Sequence, residues 1–402
     1  MPSSLPPIAR RLAIGVAALM GFALPVLMVV ANKSAPAVLA VAALAAHAAV
    51  LLTGRGAALA ARYRKLVQSP LVLLTGSILA LLVLSGTWSI DAHLTTRGLI
   101  EGVPELVFLL GLATAWPLIA DAGDAHWLRA GIVVAGLLIL FEHGSGMPLH
   151  ALVRARGEAW DLKRSAVPPL LLLWPAIAMA WPQRRFALVA GLVVAVTIGI
   201  AASHSGAPGA ALGLGAAIFV VALVTPRLAL GVTGVGLAVL IVSAPWTGSI
   251  LTRALPPDAR QELREEHAEH RLTIWSAFEH RGFDRPWLGH GFNASFSVAT
   301  APRPDGNPPP ADSSRIVGFH PHDVMLQFWI ELGALGLVAA AVAFSFAFGR
   351  LTHHRGPALA ARLGLLVGVL GVGLVGLSAW QPWWIASVGA ALLWFERAER
   401  GI

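Results

Sequence analysis

The chain has 402 residues, of which 56% are hydrophobic and only 12% are charged, whereas an average soluble domain contains about 25% charged residues. This composition excludes a disordered chain, a fibrous protein and an ordinary soluble enzyme, and it predicts an all-α polytopic membrane protein. The formal net charge of +8 does not require nucleic acid as a partner, because Lys and Arg accumulate in the cytoplasmic loops of membrane proteins. The sequence has no Cys, which excludes disulfides, thiol catalysis and Cys-based metal sites.

Twelve apolar runs follow one another along the chain, and most approach the roughly 20 residues that a helix needs to cross a hydrocarbon core. They predict about 12 transmembrane helices. The runs are Leu12–Val30, Ala35–Leu52, Pro70–Gly86, Val103–Ala120, Trp127–Phe141, Ala166–Trp181, Phe186–Ala202, Ala207–Val224, Leu228–Ala244, Val324–Phe348, Ala358–Leu377 and Trp383–Phe395. The first run follows two arginines and resembles a signal peptide, but it is long and no cleavage site stands out after it. We therefore interpret it as an uncleaved span.

The basic residues set the predicted orientation, with both termini in the cytoplasm. The cytoplasmic loops then contain Arg62, Arg64, Lys65, Arg184, Arg185, Arg227, Arg350, Arg355, Arg397 and Arg400. Two external segments, Glu142–Ser165 and Pro245–Pro321, contain most of the remaining charge. The second is roughly 75 residues long, well above the usual length of a connection, and long structured loops are usually functional. We predict a single membrane domain, 1–402, whose long periplasmic loop 245–321 bears the chemistry.

A helix is predicted inside the long loop. Asp258 is suited to cap its first turn, Ala259–His280 has helical composition, and Gly282 and Pro286 end it. Two tryptophans of this loop, at positions 275 and 287, fit either stacking on a sugar or packing of the loop onto the membrane helices.

A histidine motif, residues 319–327 (FHPHDVMLQ), stands where the long loop enters the tenth run. A neutral imidazole near pH 7 accepts a proton from a hydroxyl, so His320 and His322 are candidate general bases. A lone histidine at a membrane boundary is more often a plain interfacial residue, but two of them at the end of the one large loop favour the catalytic interpretation. Asp323 either orients one of these rings or caps the span that begins beside it.

The external segments also contain a basic set, and a solvated or headgroup-facing surface explains any single member of it. Together they suit a diphosphate, because Arg presents a planar fork of donors to phosphate oxygens and stays charged. Positioned cations stabilise the charge that develops on a diphosphate leaving group. The set comprises Arg154, Arg156, Lys163, Arg164 and Arg271.

A metal site is the alternative for the acidic and histidine residues of the loop helix, because carboxylates and imidazoles bind zinc. Those residues are Glu262, Glu265, Glu266, His267, Glu269 and His270. Their spacing is not His-Glu-x-x-His, and the alternation with arginines is typical of an exposed, salt-bridged helix face. The sequence contains no phosphate loop, dinucleotide fingerprint or nucleophile elbow. We therefore predict neither a metal nor a cofactor.

Several of these motifs resemble the O-antigen ligase family, within the larger group of polysaccharide ligases and polymerases. The closest resemblance is in residues 320–336, where a His precedes Leu-Gln and an acidic-Leu-Gly-x-x-Gly end. Residues 271–275 and 286–291 resemble the family's Arg-x-x-Ile-Trp and Pro-x-x-Gly-x-Gly, and residues 88–91, 163–166 and 173–176 also match. Three departures are Asp323 in place of the usual Asn or Ser, Lys163 in place of a common Asn, and Gly206 where many relatives have an Arg after Ser-x-Ser, here Ser203–Ser205.

The resemblance implies a GT-C-like glycosyltransferase architecture in the bacterial inner membrane with the active site facing the periplasm. It implies transfer of O-antigen from undecaprenyl diphosphate to the lipid A–core oligosaccharide, with His322 as the general base and Arg164 and Arg271 as the main diphosphate ligands. Arg154, Arg156 and Lys163 would assist these ligands, and His320 and Asp323 would support the base. One general base without an evident nucleophile favours a single inverting displacement.

Three alternatives remain. A polymerase of the same lipid-linked glycan, and a ligase that glycosylates protein, would share the site and differ in the acceptor. A transporter would instead have ionisable residues within its spans and two related halves. The sequence has few of the former and no clear half-repeat.

Overall fold

The computed structural model describes residues 5–31, 33–120, 124–153, 162–256, 269–300 and 320–400, with the side chains of 269, 270 and 400 left out of the description. Throughout these ranges the regular secondary structure is helical, and they contain no strand. The prediction of an all-α polytopic membrane protein is confirmed.

The helices before the long loop pack as a bundle with mostly short connections. In chain order they are α1 (Pro7–Ala18), α2 (Leu24–Val30), α3 (Ala35–Leu52), α4 (Gly56–Val67), α5 (Pro70–Ser85), α6 (Ala92–Ala115), α7 (Ala125–Gly144), α8 (Pro148–Val153), α9 (Leu162–Ser165), α10 (Val167–Ala180), α11 (Phe186–Ala202), α12 (Gly206–Val224) and α13 (Pro226–Ser243). A π-helical turn, Leu19–Ala23, joins α1 to α2, so that the two form one continuous helix.

The long loop and the C-terminal part contribute the remaining helices. They are α14 (Thr247–Ala254), α15 (Glu269–Gly282), α16 (Ser295–Thr300), α17 (Val324–Leu351), α18 (Gly356–Gly373) and α19 (Pro382–Arg400). The loop helix α15 ends at Gly282 as predicted, whereas Asp258 and residues 259–268 lie outside the described residues.

Each of the twelve predicted apolar runs lies mainly on helix, although Ala358–Leu377 extends past the end of α18 at Gly373. Among the described residues, eight helices are long and apolar enough to cross a membrane, and the pair α4–α5, bent by 62°, makes nine if it is one span. This number is smaller than the predicted 12 because α10 and α11 have only 14 and 17 residues and α19 ends in a charged segment. The count of about 12 spans therefore stays a prediction.

The short helix α10 lies at the centre of the bundle and is buried on nearly all sides, as expected for a helix that is apolar all round. Its Trp174 fits between two glycines, Gly215 of α12 and Gly364 of α18, where an added Cβ would lie 2.5 and 2.4 Å from the indole ring. Just before α10, the Ser165 hydroxyl donates to the Met28 carbonyl (2.9 Å) and ties α9 to α2. These contacts fix the segment that bears Arg164.

The loop helix α15 packs on the first half of α17 through a second apolar cluster, which includes Trp275, Phe278, Leu326 and Ile330. The Trp275 indole N–H donates to the Pro321 carbonyl (2.9 Å). Packing is thus the role that the structure gives to Trp275, whereas Trp287 is 76% exposed.

Candidate functional site

The helix α17 is broken at Gly333, whose φ of 62° and ψ of −153° are not helical. The backbone groups freed by this break pair with the segment 286–291. Gly291 N–H donates to the Glu331 carbonyl (2.8 Å), and Ala334 N–H donates to the Pro286 carbonyl (2.8 Å). Two motifs that are about 40 residues apart in the sequence are therefore held together by backbone hydrogen bonds, which satisfy groups that would be costly to bury unpaired.

The motif at residues 88–91 packs onto the same segment. The Trp88 indole N–H donates to the Leu288 carbonyl (2.9 Å), and Ile90 N–H donates to the His290 carbonyl (2.9 Å). Three separate sequence motifs thus meet at the break in α17, and we call the segments 88–91, 286–291 and 330–335 together the frame.

Gly289 is a point of close approach in this frame. Its φ is +66°, and an added Cβ would lie 2.4 Å from the carbonyl carbon of Glu331. We expect Gly289→Ala to destabilise the protein by about 1–3 kcal/mol, because the methyl group overpacks the frame and the backbone is left-handed. The midpoint of thermal unfolding in detergent measures this effect. Gly191→Ala is the matched control, because a Cβ there meets nothing within 4 Å, and equal midpoints for the two variants would contradict the prediction.

Glu331 is fully buried and accepts hydrogen bonds from three separate parts of the chain. Its donors are Asn293 N–H (2.7 Å), the Ser295 hydroxyl (2.5 Å), Gln327 Nε2 (2.9 Å) and Trp380 Nε1 (2.5 Å). A buried carboxylate with this many donors is satisfied and rigid. Glu331 therefore fixes the segment 293–295 and the loop after α18 relative to α17.

The loop after α18, residues 374–381, is held by a second side chain of α17. Gln327 Oε1 accepts from Ala379 N–H (2.9 Å), and Gln327 Nε2 donates to the Ser378 hydroxyl (3.0 Å). The Leu-Gln of the histidine motif is thus structural, because it anchors the loop whose carbonyl groups contact the site.

Asp323 caps α17. Its Oδ1 accepts from Met325 N–H (2.8 Å) and Leu326 N–H (3.0 Å), so of the two predicted roles for Asp323 the structure has the cap. Burial raises the pKa of Asp323 to about 6, and the two N–H donors partly oppose this shift. The preceding residue, His322, has a φ of +56°, a left-handed conformation that is uncommon outside glycine.

The two histidines are in direct contact, with ring centroids 4.0 Å apart. The His322 N–H donates to His320 Nδ1 (3.2 Å). Burial, followed by the charges of His322 and Arg164, lowers the pKa of His320 to about 3. Burial also lowers the pKa of His322, with the positive charges of Arg271 and Arg164 adding to the effect and a hydrogen bond to the Gly376 backbone opposing it. Both rings are therefore neutral at pH 7.

The two arginines reach these histidines from different helices. Arg271, at the start of α15, is partly buried and donates through Nη1 to the Val375 carbonyl, and desolvation lowers its pKa. A guanidinium keeps its charge even so. Arg164 in α9 lies 6.0 Å from the centre of the Trp383 ring. Two cations and two neutral imidazoles thus converge on one place.

Not all of the predicted set is assembled there. Lys163 is exposed, and Arg154 and Arg156 lie outside the described residues. The same is true of the side chains in the alternative metal cluster at 262–270. In the ranges that the structure describes, no group of three or more His, Cys, Asp or Glu residues is placed to hold a metal ion together.

The loop 374–381 was not foreseen as part of the site. Its Val375 and Gly376 backbone groups bind Arg271 and His322, and its Trp380 binds Glu331. The one sequence signal is the interruption of an apolar run by Gly376 and Ser378. A backbone carbonyl leaves no mark in a sequence, so its role required the structure.

An apolar groove of about 450 Å³ borders the segment 286–287 and the part of α17 that follows its break. Its lining is almost wholly apolar and comes from α13 and the turn that follows it, from the segment after α15, and from α17. The lining residues include Trp246, Phe283, Trp287, Trp329 and Val338.

Comparison with known proteins agrees with the motifs. Residues 170–341 match the O-antigen ligase family. Curated proteins named "putative polysaccharide ligase" are similar over about two thirds of the chain. That of Rickettsia felis is 24% identical over 65% of this chain and 64% of its own length, and that of Rickettsia prowazekii is 24% identical over 65% and 64%. That of Rickettsia conorii is 22% identical over 64% and 62%. The chain thus spans less than two thirds of the length of these relatives.

Proposed function

We propose that this chain, whose residues 170–341 match the O-antigen ligase family, is a membrane glycosyltransferase of that family. It would transfer O-antigen polysaccharide from undecaprenyl diphosphate to the lipid A–core oligosaccharide at the periplasmic face of the inner membrane. The observation that carries this proposal is the convergence of neutral His322 with the cations Arg164 and Arg271.

His322 is suited to the role of general base. The hydrogen bond to the Gly376 backbone raises the pKa of His322, as expected when one ring N–H donates to a carbonyl. That bond fixes the tautomer and leaves the lone pair on the other ring nitrogen. This nitrogen takes the proton of the acceptor hydroxyl while the hydroxyl oxygen attacks the anomeric carbon.

Arg164 and Arg271 are suited to the leaving group. As the new C–O bond forms, the bond from the anomeric carbon to the diphosphate oxygen breaks, and its electron pair leaves with undecaprenyl diphosphate. The negative charge that develops there is stabilised by fixed cations in a site with little water. One displacement of this kind inverts the anomeric centre, and the energy comes from the glycan–diphosphate bond.

The apolar groove supports a lipid-linked donor. It opens beside α17, the helix that begins next to His322, and its lining suits a polyprenyl chain. A donor with its chain in this groove would keep its diphosphate near the membrane surface.

The acceptor is tested in cells. In a strain that lacks this protein and is complemented with it, O-antigen should appear on lipid A–core, as measured by labelling and gel analysis. A polymerase would give a different result, because cells without polymerase still attach a single repeat unit to the core. Restored chain length without restored attachment would therefore overturn the ligase assignment, and label on protein would indicate a protein ligase.

Orientation has its own test, which the absence of Cys makes free of background. We expect a cysteine at Ser313 to react with an impermeant thiol reagent from the periplasmic side, and a cysteine at Ser69 to stay unlabelled until the membrane is permeabilised. The reason is the predicted location of loop 245–321 outside and of the Ser69 turn inside. The reverse labelling pattern would remove the periplasmic site.

Transfer by the purified chain should be unaffected by EDTA, because the proposed chemistry uses a neutral base and two arginines. The rate of glycan transfer before and after chelation measures this. If EDTA abolished transfer and added Zn²⁺ or Mg²⁺ restored it, the acidic and histidine cluster at 262–270 would become the candidate metal site.

A further inference from the structure

A second histidine pair lies outside the proposed transfer site. His143, next to last in α7, and His204, in the turn between α11 and α12, approach each other with their Nε2 atoms 3.2 Å apart. Their ring centroids are 4.6 Å apart, and both side chains are exposed. The proposed transfer reaction makes no use of this pair.

The helices that carry the pair are pinned together by small residues. An added Cβ on Gly136 of α7 would lie 2.2 Å from the carbonyl oxygen of Ala195 in α11, and one on Gly199 would lie 3.1 Å from the Gly136 Cα. Backbones in such close contact have little freedom to slide. The distance between the helix ends that bear the histidines is therefore fixed by the packing.

His204 adopts a strained conformation, with φ at +49°. For a residue other than glycine, a left-handed backbone is unfavourable, and persistent strain of this kind is concentrated at functional positions.

The geometry points to a metal. Zn–N bonds of about 2.0–2.1 Å in a tetrahedral site separate two nitrogen ligands by about 3.3–3.4 Å, close to the observed 3.2 Å. We propose that His143 and His204 bind one Zn²⁺ ion through their Nε2 atoms, with water completing the coordination. Imidazole nitrogen suits Zn²⁺ and related transition metals, in contrast to Mg²⁺ or Ca²⁺, which prefer oxygen. The ion links α7 to α11 and takes no part in glycan transfer.

A hydrogen bond between two neutral imidazoles is the competing explanation of the short distance. Such a bond is solvent-exposed and would contribute little to stability. It predicts no metal affinity, so that metal binding separates the two explanations.

Zinc binding by the full-length, chelator-stripped chain in detergent tests the proposal. We expect His143→Ala and His204→Ala each to bind one Zn²⁺ fewer than the parent in equilibrium dialysis. His280→Ala, which removes an exposed histidine of α15, should keep the parental number. An ion bound at 262–270 would be present in the parent and in all three variants, so it does not affect the difference between them.

A second measurement guards against misfolding. Zn²⁺ should raise the thermal-unfolding midpoint of the parent more than that of His204→Gly, because a ligand that binds only the folded state stabilises it. The metal-free His204→Gly chain should be at least as stable as the parent, since glycine tolerates the positive φ. Equal zinc numbers, or equal zinc-induced shifts, in the parent and the His204 variants would overturn the site.

Discussion

Replacing His322 by alanine should lower the rate of glycan transfer by about 10²–10⁴-fold, because proton removal from the acceptor hydroxyl is typically worth that much. Binding of the lipid-linked donor should persist, since Arg164 and Arg271 remain. Single-turnover transfer and donor binding, measured on the same purified variant, separate the two effects. His320→Ala should be milder, because His320 accepts a hydrogen bond from the His322 backbone and supports it.

The backbone at His322 requires a second variant. Alanine at a φ of +56° is strained, whereas glycine is not, so His322→Gly tests the loss of the ring without the strain. Equal losses in the two variants would indicate the imidazole, and near-normal turnover in His322→Gly would exclude general-base catalysis by this residue. A large loss in His320→Ala together with normal turnover in His322→Gly would mean that His320, and not His322, is the general base.

The pH dependence follows from the pKa of His322. Burial and the two arginines lower this pKa below the ordinary value of 6.5, and the base is active when neutral. Transfer should therefore stay constant from pH 8 down to about pH 6.5, and should be lost on the acid side as pH falls through the lowered pKa. Loss of activity that begins above pH 7 would contradict a lowered pKa at His322.

The sequence was sufficient to predict the helical membrane class. It also located the helices that contain the twelve apolar runs, because hydropathy determines both. It also brought His322, Arg164 and Arg271 together, through family motifs whose partners are 50 to 160 residues apart. The break at Gly333 could not be foreseen, because the sequence around it predicts one continuous span and the break is stabilised by distant backbone groups of the segment 286–291.

The supporting contacts were also beyond the sequence. Glu331 was recognised only as part of a motif, whereas its structural role depends on four donors, three of which are distant in the sequence. Asp323 had two roles compatible with its position, and the distances to the amides that follow it decided between them. Residue types limit what a side chain does, but tertiary contacts select among the possibilities.

Arg164→Ala and Arg271→Ala should each lower transfer by about two to three orders of magnitude, since loss of one contact to developing charge costs a few kcal/mol. Lys at either position should restore little, because it lacks the bidentate fork. The arginine Arg184, in the turn before α11, is exposed and serves as the matched control, and Arg184→Ala should leave transfer nearly unchanged. Rates are compared at equal amounts of folded protein.

The residual activity of the Arg271 variant provides an independent check on the proximity of this cation to the base. The positive charge of Arg271 lowers the pKa of His322, so its removal in Arg271→Gln should raise that pKa. The acid limb of the pH–rate profile should then move to higher pH, whereas Arg271→Lys should keep the limb near its parental position. An unchanged limb in Arg271→Gln would mean that Arg271 does not act on the base, and full activity in both alanine variants would remove the two arginines from the site.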